Sequence, residues 1–325
     1  LSMATMTMLV IAAALLIDVG LGEPPNRFHP VAWMGSAITW AKRFAPPRGN
    51  ARQFLFGMLI VVLGATASAA TGWAIQRLTA SLATSALGWT AMLLLQAAAL
   101  KCCFGIRSLA HAASLVGNNL DADRLPAARQ QLAYHLVSRD VTQLTASEVS
   151  AATIESVAEN TSDSVVGPLF FFLIGGLPAA LAYRYVNTCD AMLGYRTPQL
   201  EWLGKFAART DDVLNFIPAR ITAALMLLAH LPSQRATSQA WRTWRRDAQR
   251  TPSPNGGHPM SVAAGGLGVC LEKPGHYCLG GELRPPAAAD IRAMIGLFHR
   301  TIVLTVLLAI TASWLLEVWI ARGTR

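Results

Sequence analysis

The chain has 325 residues, of which 53% are hydrophobic and only 14% charged, against about 25% charged in an ordinary soluble protein. Mean hydropathy is +0.38 and the apolar residues are bunched into long uncharged runs, so disorder, collagen and a disulfide-stapled secreted mini-protein are excluded and a membrane protein is indicated. The 27 Lys and Arg outnumber the 18 Asp and Glu, giving a formal net charge of +9, a balance that suits a cytoplasmic membrane face, nucleic acid or phosphorylated substrates.

The first apolar run, Met3 to Ile17, is marginal for a span and lacks the basic start and cleavage site of a signal peptide. It reads as a retained, tilted helix near 3–19. A proline-shaped loop follows, D-V-G-L-G-E-P-P-N-R-F-H-P-V, carrying Asp18, Glu23 and His29. Residues 53–75 are uncharged for 23 positions, about 35 Å of helix, which exceeds the roughly 30 Å hydrocarbon thickness. Residues 83–100 give a second, antiparallel span, and 301–320 a third with Trp314 and Trp319 at one interface. Five Lys or Arg between 20 and 52, and nine between 232 and 300, place both stretches in the cytoplasm by the positive-inside rule. The expected fold is therefore all-α, one polytopic membrane-embedded catalytic domain over 1–325. It has about four spans, a cytoplasmic helical segment at 101–163, broken or re-entrant helices over 164–231 and a cytoplasmic loop region at 232–300. Two apolar runs are flawed as spans. Residues 164–183 carry Pro168, Gly175, Gly176 and Pro178, and 213–231 carry Pro218 and Arg220.

The polar chemistry clusters between these runs. In E-S-V-A-E-N-T-S-D-S, Glu155, Glu159 and Asp163 stand at i, i+4 and i+8, which on a continuous helix is roughly an 80° stripe. Three carboxylates on one face suit Mg²⁺ bound together with substrate phosphates, or a plain solvated acidic face. Asn187 and Asp190 follow, then Arg209, Asp211, Asp212, Asn215 and Arg220. An Arg inside apolar sequence is expensive unless paired, so Arg220 is expected to meet an acid, Asp211 or Asp212, or a phosphate. The stretch 245–260, R-R-D-A-Q-R-T-P-S-P-N-G-G-H-P-M, reads as a rigid turn-rich loop presenting Arg246, Asp247, Ser253, Asn255 and His258. The five cysteines include no C-x-x-C pair and are expected to be reduced. P-loop, dinucleotide, zinc-protease and serine-hydrolase motifs are absent.

These blocks in this order, from about Asp18 to Pro285, resemble the adenosylcobinamide-phosphate synthase family of cobalamin biosynthesis. The resemblance rests on E-S-V-A-E-N-T-S-D-S-V-V-G-P, N-T-C-D-A-M-L-G-Y, R-T-D-D-V-L-N-F-I-P-A-R and S-P-N-G-G-H-P. It departs at Glu23, where the family usually shows Asp, and at His258, where Trp is common. The resemblance implies an ATP-dependent ligase that forms an amide between a peripheral carboxylate of adenosylcobyric acid and the amine of 1-aminopropan-2-ol O-phosphate or ethanolamine phosphate. An acyl phosphate is the expected intermediate, with an acyl adenylate as the alternative.

Joined to the residues, it makes Glu155, Glu159 and Asp163 candidate Mg²⁺ ligands, with Asp190 and Asp211 as further catalytic carboxylates. Arg209, Arg220 and Arg246 become phosphate clamps, with Asn187, Asn215, Ser253 and Asn255 beside ATP. Asp247 or His29 is the candidate base for the ammonium substrate. ATP and corrinoid are cytoplasmic, so the site is expected on the inner face of a bacterial cell membrane, with 164–183 and 213–231 failing to cross; two true crossings are the alternative. Homo-oligomers and association with other membrane cobalamin-assembly enzymes are the expected protein partners, and nucleic acid is not expected. The competing classes are a transporter of corrinoid or another phosphorylated substrate, marked by broken helices and intramembrane Arg, and a scaffold that docks soluble enzymes.

Overall fold

A computed structural model describes residues 3–323. In chain order the helices are α1 (Met3–Leu21), α2 (Pro30–Lys42), α3 (Asn50–Ala80), α4 (Ala86–Lys101), α5 (Ile106–Asp121), α6 (Leu125–His135) and α7 (Ala146–Thr161). A π-helical turn (Ser162–Val166) leads into α8 (Gly167–Leu193), followed by α9 (Lys205–Leu214), α10 (Phe216–Ala229), α11 (Gln234–Asp247) and α12 (Gly257–Leu267). A two-stranded antiparallel hairpin, β1 (Leu271–Lys273) and β2 (Tyr277–Leu279), precedes α13 (Ala288–Gly323).

Four helical stretches are long and apolar enough to cross a membrane: Asn50–Ala80, Ala86–Asp121, Ala146–Leu193 and Ala288–Trp319. They contain the expected spans at 53–75, 83–100 and 301–320. The run at 3–19 forms a shorter apolar helix. Helices α9 and α10 meet at 47° and make a fifth candidate only if counted together. The protein is a polytopic all-α membrane protein.

The chain divides into two compact units that alternate along the sequence: residues 1–105, 167–214 and 308–325 form the first, and 106–166 and 215–307 the second. In the first unit α3 packs along α8. Small residues on α3 set the approach, because a Cβ at Gly72 would lie 2.6 Å from the Leu177 backbone and one at Gly64 would overlap the Tyr185 ring. Ile60, Val61, Tyr185, Val186, Cys189, Leu193 and Leu203 form the core between them. The Gly-Gly-x-Pro signal in α8 breaks the helix as the sequence predicts. Gly176 takes φ +64 and ψ −154, a conformation open only to glycine, and the Gln76 amide occupies the space a side chain would need.

In the second unit α7 is the buried centre, with Val149, Ala152, Ile154, Val157 and Ala158 all enclosed. A capping box between Thr145 and Glu148 starts it. Helices α5, α6 and α12 and strand β1 pack around it.

Two expectations need correction here. The region 232–300 is mostly helical, and within 245–260 only the turn between Asp247 and Gly257 is non-helical. Pro259 is compatible with α12 because it sits in the first helical turn, where no backbone N–H partner is lost. The carboxylate stripe also stops short. The π turn begins at Ser162, so Asp163 leaves the α-helical register that Glu155 and Glu159 share.

Candidate active site

The second unit assembles a site around Glu155 and Glu159. Glu155 is 5% exposed, which removes the solvated-face reading for that residue. Its Oε2 accepts from Arg139 Nη2 at 3.4 Å, while Oε1 is buried with no hydrogen-bond partner. Lys273 of β1 is a second nearby positive charge. The Tyr277 phenol of β2 borders Glu155 and Glu159. Its own burial and then the two carboxylate charges push its pKa well above the usual range, so it stays a proton donor. Glu159 reaches the start of α12, where a Cβ on Gly256 would sit 2.9 Å from Glu159 Oε1.

The same helix start carries the S-P-N-G-G-H-P block. Ser253 Oγ accepts from the Asn255 amide at 3.2 Å, and Asn255 Oδ1 accepts from Arg220 Nη1 at 3.3 Å. Arg220 also donates to the Phe216 carbonyl at 2.7 Å and lies 3.5 Å over the Phe216 ring. Its protein partners are thus a carbonyl, an amide and an aromatic face, and its positive charge stays available to an anion.

His258 accepts at Nδ1 from Trp244 Nε1 at 2.9 Å, which places the ring proton on Nε2, and Nε2 is buried without a hydrogen-bond partner. Burial and then the Arg220 charge push its pKa down to about 4. At neutral pH His258 is therefore an N–H donor, which is also what an indole at that position would be.

Asp247 has another role. It is fully buried at the end of α11 and accepts from Arg246 at 2.8 Å on both oxygens and from the Gly280 amide at 2.8 Å, with Arg250 Nε 3.1 Å away. Burial raises its pKa, but the Arg246 hydrogen bonds, the Gly280 amide and the Arg246 and Arg250 charges outweigh it and leave the carboxyl below its usual value. These contacts engage both of its oxygens. Arg246 is likewise engaged by Asp247 and by Glu282 at 2.8 Å.

The first unit holds two further polar groups. Lys101, which is 2% exposed, lies 2.6 Å from Glu23 Oε2 and 3.3 Å from the fully buried Asp18. His29 caps α2, with Nδ1 accepting from the Val31 amide at 3.2 Å and Nε2 2.8 Å from Glu23. Both of its ring nitrogens are occupied, one by the cap of α2 and one by Glu23. Burial raises the Glu23 pKa, but His29 and Lys101 more than offset this and lower it.

On α8, Asn187 donates to Asp211 at 3.3 Å and accepts from Arg184 at 3.3 Å. Asp190 is accommodated because Gly194 lacks a Cβ, which would fall 2.1 Å from Asp190 Oδ1. Asn215 is buried between α9 and α10, and Arg209 is exposed on α9.

Sequence reasoning missed Lys101, Arg139, Lys273 and Tyr277. Lys101 had a usable signal, being one of four lysines and standing directly after an uncharged 18-residue run. The others had none, since only folding brings the hairpin and Arg139 to α7.

Among the described residues no three His, Cys, Asp or Glu side chains converge as a complete metal cage. Two adjacent carboxylates, one with a buried oxygen lacking a partner, nonetheless fit Mg²⁺, which commonly takes one or two carboxylates and completes its shell with water and phosphate oxygens.

The family model described as CobD/Cbib protein matches residues 11–319. The chain belongs to the CobD/Cbib family. Among its relatives, the cobalamin biosynthesis protein CobD of Dehalococcoides mccartyi is 41% identical over 93% of this chain and 96% of its own length. The probable cobalamin biosynthesis protein CobD of Methanothermobacter thermautotrophicus is 41% identical over 83% of this chain and 86% of its own, and the Klebsiella pneumoniae CobD protein 36% identical over 88% of each. No solved structure matches. CobD/Cbib membership assigns the chain to cobalamin biosynthesis.

Proposed function

We propose that this CobD/Cbib protein is the ATP-dependent amide ligase that joins adenosylcobyric acid to 1-aminopropan-2-ol O-phosphate or ethanolamine phosphate, giving adenosylcobinamide phosphate. The observation that carries the reading is the buried Glu155 oxygen without a partner, beside Glu159 and the uncapped start of α12 with Arg220 and Asn255. That arrangement offers oxygen ligands on one side and anion donors on the other. A transporter does not require it, and the biosynthetic family weighs against one.

A carboxylate oxygen is a poor leaving group, so the corrinoid carboxylate first takes the γ-phosphoryl group of ATP. A C–O–P linkage forms, the γ-P–O bond to ADP breaks, and ADP leaves. The amine then attacks the acyl carbon, inorganic phosphate departs with the bond electrons, and the amine loses a proton. Glu155 and Glu159 would hold Mg²⁺, which would supply neutralising charge to phosphate oxygens. Arg220, with Asn255, Ser253 and the α12 amides, binds and orients phosphate. The Nε2–H of His258 and the Tyr277 hydroxyl donate to developing negative charge. The ammonium proton leaves to solvent or to a phosphate oxygen, since neither Asp247 nor His29 has a free acceptor.

The test is purified protein with ATP, Mg²⁺, adenosylcobyric acid and 1-aminopropan-2-ol O-phosphate, read by mass spectrometry. Amide and ADP are expected in equal amounts. Folded protein that makes neither overturns the reading.

A further inference from the structure

The mechanism uses neither thiol of the second unit. Cys270 and Cys278 are free and half-buried, and their sulfurs lie 3.1 Å apart. Leu271 pairs with Leu279 and Glu272 with Cys278, so the two cysteines stand on diagonal positions of one hairpin face. Cys270 is anchored at the end of α12, just after the left-handed Gly268, and its amide donates to the Arg284 carbonyl at 2.8 Å. Cys278 is flanked by the groups that reach the candidate site: Tyr277 borders Glu155, and the Gly280 amide holds Asp247.

We propose that Cys270 and Cys278 are a reversible thiol-oxidation site, whose disulfide, formed by exchange with a small-molecule disulfide, shifts the β1–β2 hairpin and lowers activity. The Cys278 thiolate attacks the small disulfide, forming a mixed disulfide and expelling one small thiolate. Cys270, deprotonated, attacks the Cys278 sulfur, closing the protein disulfide and expelling the second. The protein thiols lose two electrons and two protons, and the small disulfide becomes two thiols. Burial and the neighbouring Cys278 thiol push Cys270 up to about 12, so its deprotonation makes closure slow.

Bonding requires the sulfurs to close to about 2.05 Å, from 3.1 Å. Cys270 is fixed to α12, so β2 takes up the movement and carries Tyr277 and Gly280 with it. Misplacement by about 1 Å costs up to about 100-fold in rate, and a roughly tenfold fall is expected for this smaller shift.

The experiment treats the full chain in detergent with oxidised glutathione, alkylates the remaining thiols and maps peptides by mass spectrometry. The expected result is a 270–278 cross-linked peptide, reversed by dithiothreitol and absent in Cys278→Ser. Faster hydrogen exchange at the Gly280 amide and the tenfold loss of amide formation should accompany it, while reduced Cys278→Ser stays active and insensitive. Full alkylation of both thiols after oxidation overturns the site. A disulfide that moves neither exchange nor activity overturns its consequence. The activity arm rests on the proposed ligase reaction. If reduced protein makes no amide, that reading fails while mapping and exchange still decide this one.

Discussion

Replacing Asp247 by Asn separates a structural carboxylate from a catalytic base. The substitution keeps the size and removes the charge. Asp247 accepts three hydrogen bonds, two from Arg246 and one from the Gly280 amide, and faces Arg250. A hydrogen bond to a charged group contributes about 1.5–3 kcal/mol. The Arg246 and Arg250 side chains are 43% and 51% exposed and return to water when released, so their share falls to about 0–1 kcal/mol each. The buried bond to Gly280 and the Asn amide hydrogens forced against Arg246 supply the rest, for a total of about 2–4 kcal/mol. At about 2–4 °C per kcal/mol for a chain of this size, the unfolding midpoint should drop by roughly 5–15 °C. The assay is a thermal scan in detergent at fixed rate, alongside amide formation per folded molecule. An unchanged midpoint with amide formation down by about 100-fold or more would restore Asp247 as a general base and refute the reasoning.

Glu155→Gln and Glu159→Ala should each abolish amide formation while the protein still expresses and inserts; near-normal turnover in either removes the metal assignment. His258 and His230 both have pKa values pushed down from 6.5 to about 4, by burial first and then by Arg220 and Arg300 respectively. The unfolded chain therefore binds more protons between those values, and stability should decline as pH falls from about 6.5 to about 4. His258→Gln should flatten that slope in thermal scans, and an identical slope in both proteins would contradict the burial argument. We propose a re-entrant α8, argued from its break at Gly175–Gly176 and the positive charge at 232–300, which would return the loop after α8 to the cytoplasmic side. Tyr195→Cys, at a 44% exposed position, should then resist a membrane-impermeant thiol reagent applied to intact cells, and labelling from the periplasm would mean that α8 crosses.

The sequence by itself determined the class of the protein and most elements. Uncharged runs of span length dictate membrane helices because lipid satisfies no backbone polar group. The Gly175-Gly176-x-Pro178 run dictates a break because it combines the one residue that adopts φ +64 with ψ −154 and one that lacks an N–H. Several blocks in order also marked the family. Only the tertiary structure decided which polar side chains have their hydrogen-bonding atoms filled and which do not. Asp247 and Glu155 are both buried acids in dense polar blocks, yet one has its oxygens filled by Arg246 and Gly280 and the other keeps an oxygen without a partner. That difference comes from neighbours distant in the chain: Gly280 reaching back to Asp247, Tyr277 to Glu155, and Gly256 leaving room for Glu159. Spacing along a helix assigns a side chain to a face, but its charge state and its partners depend on what packs against that face.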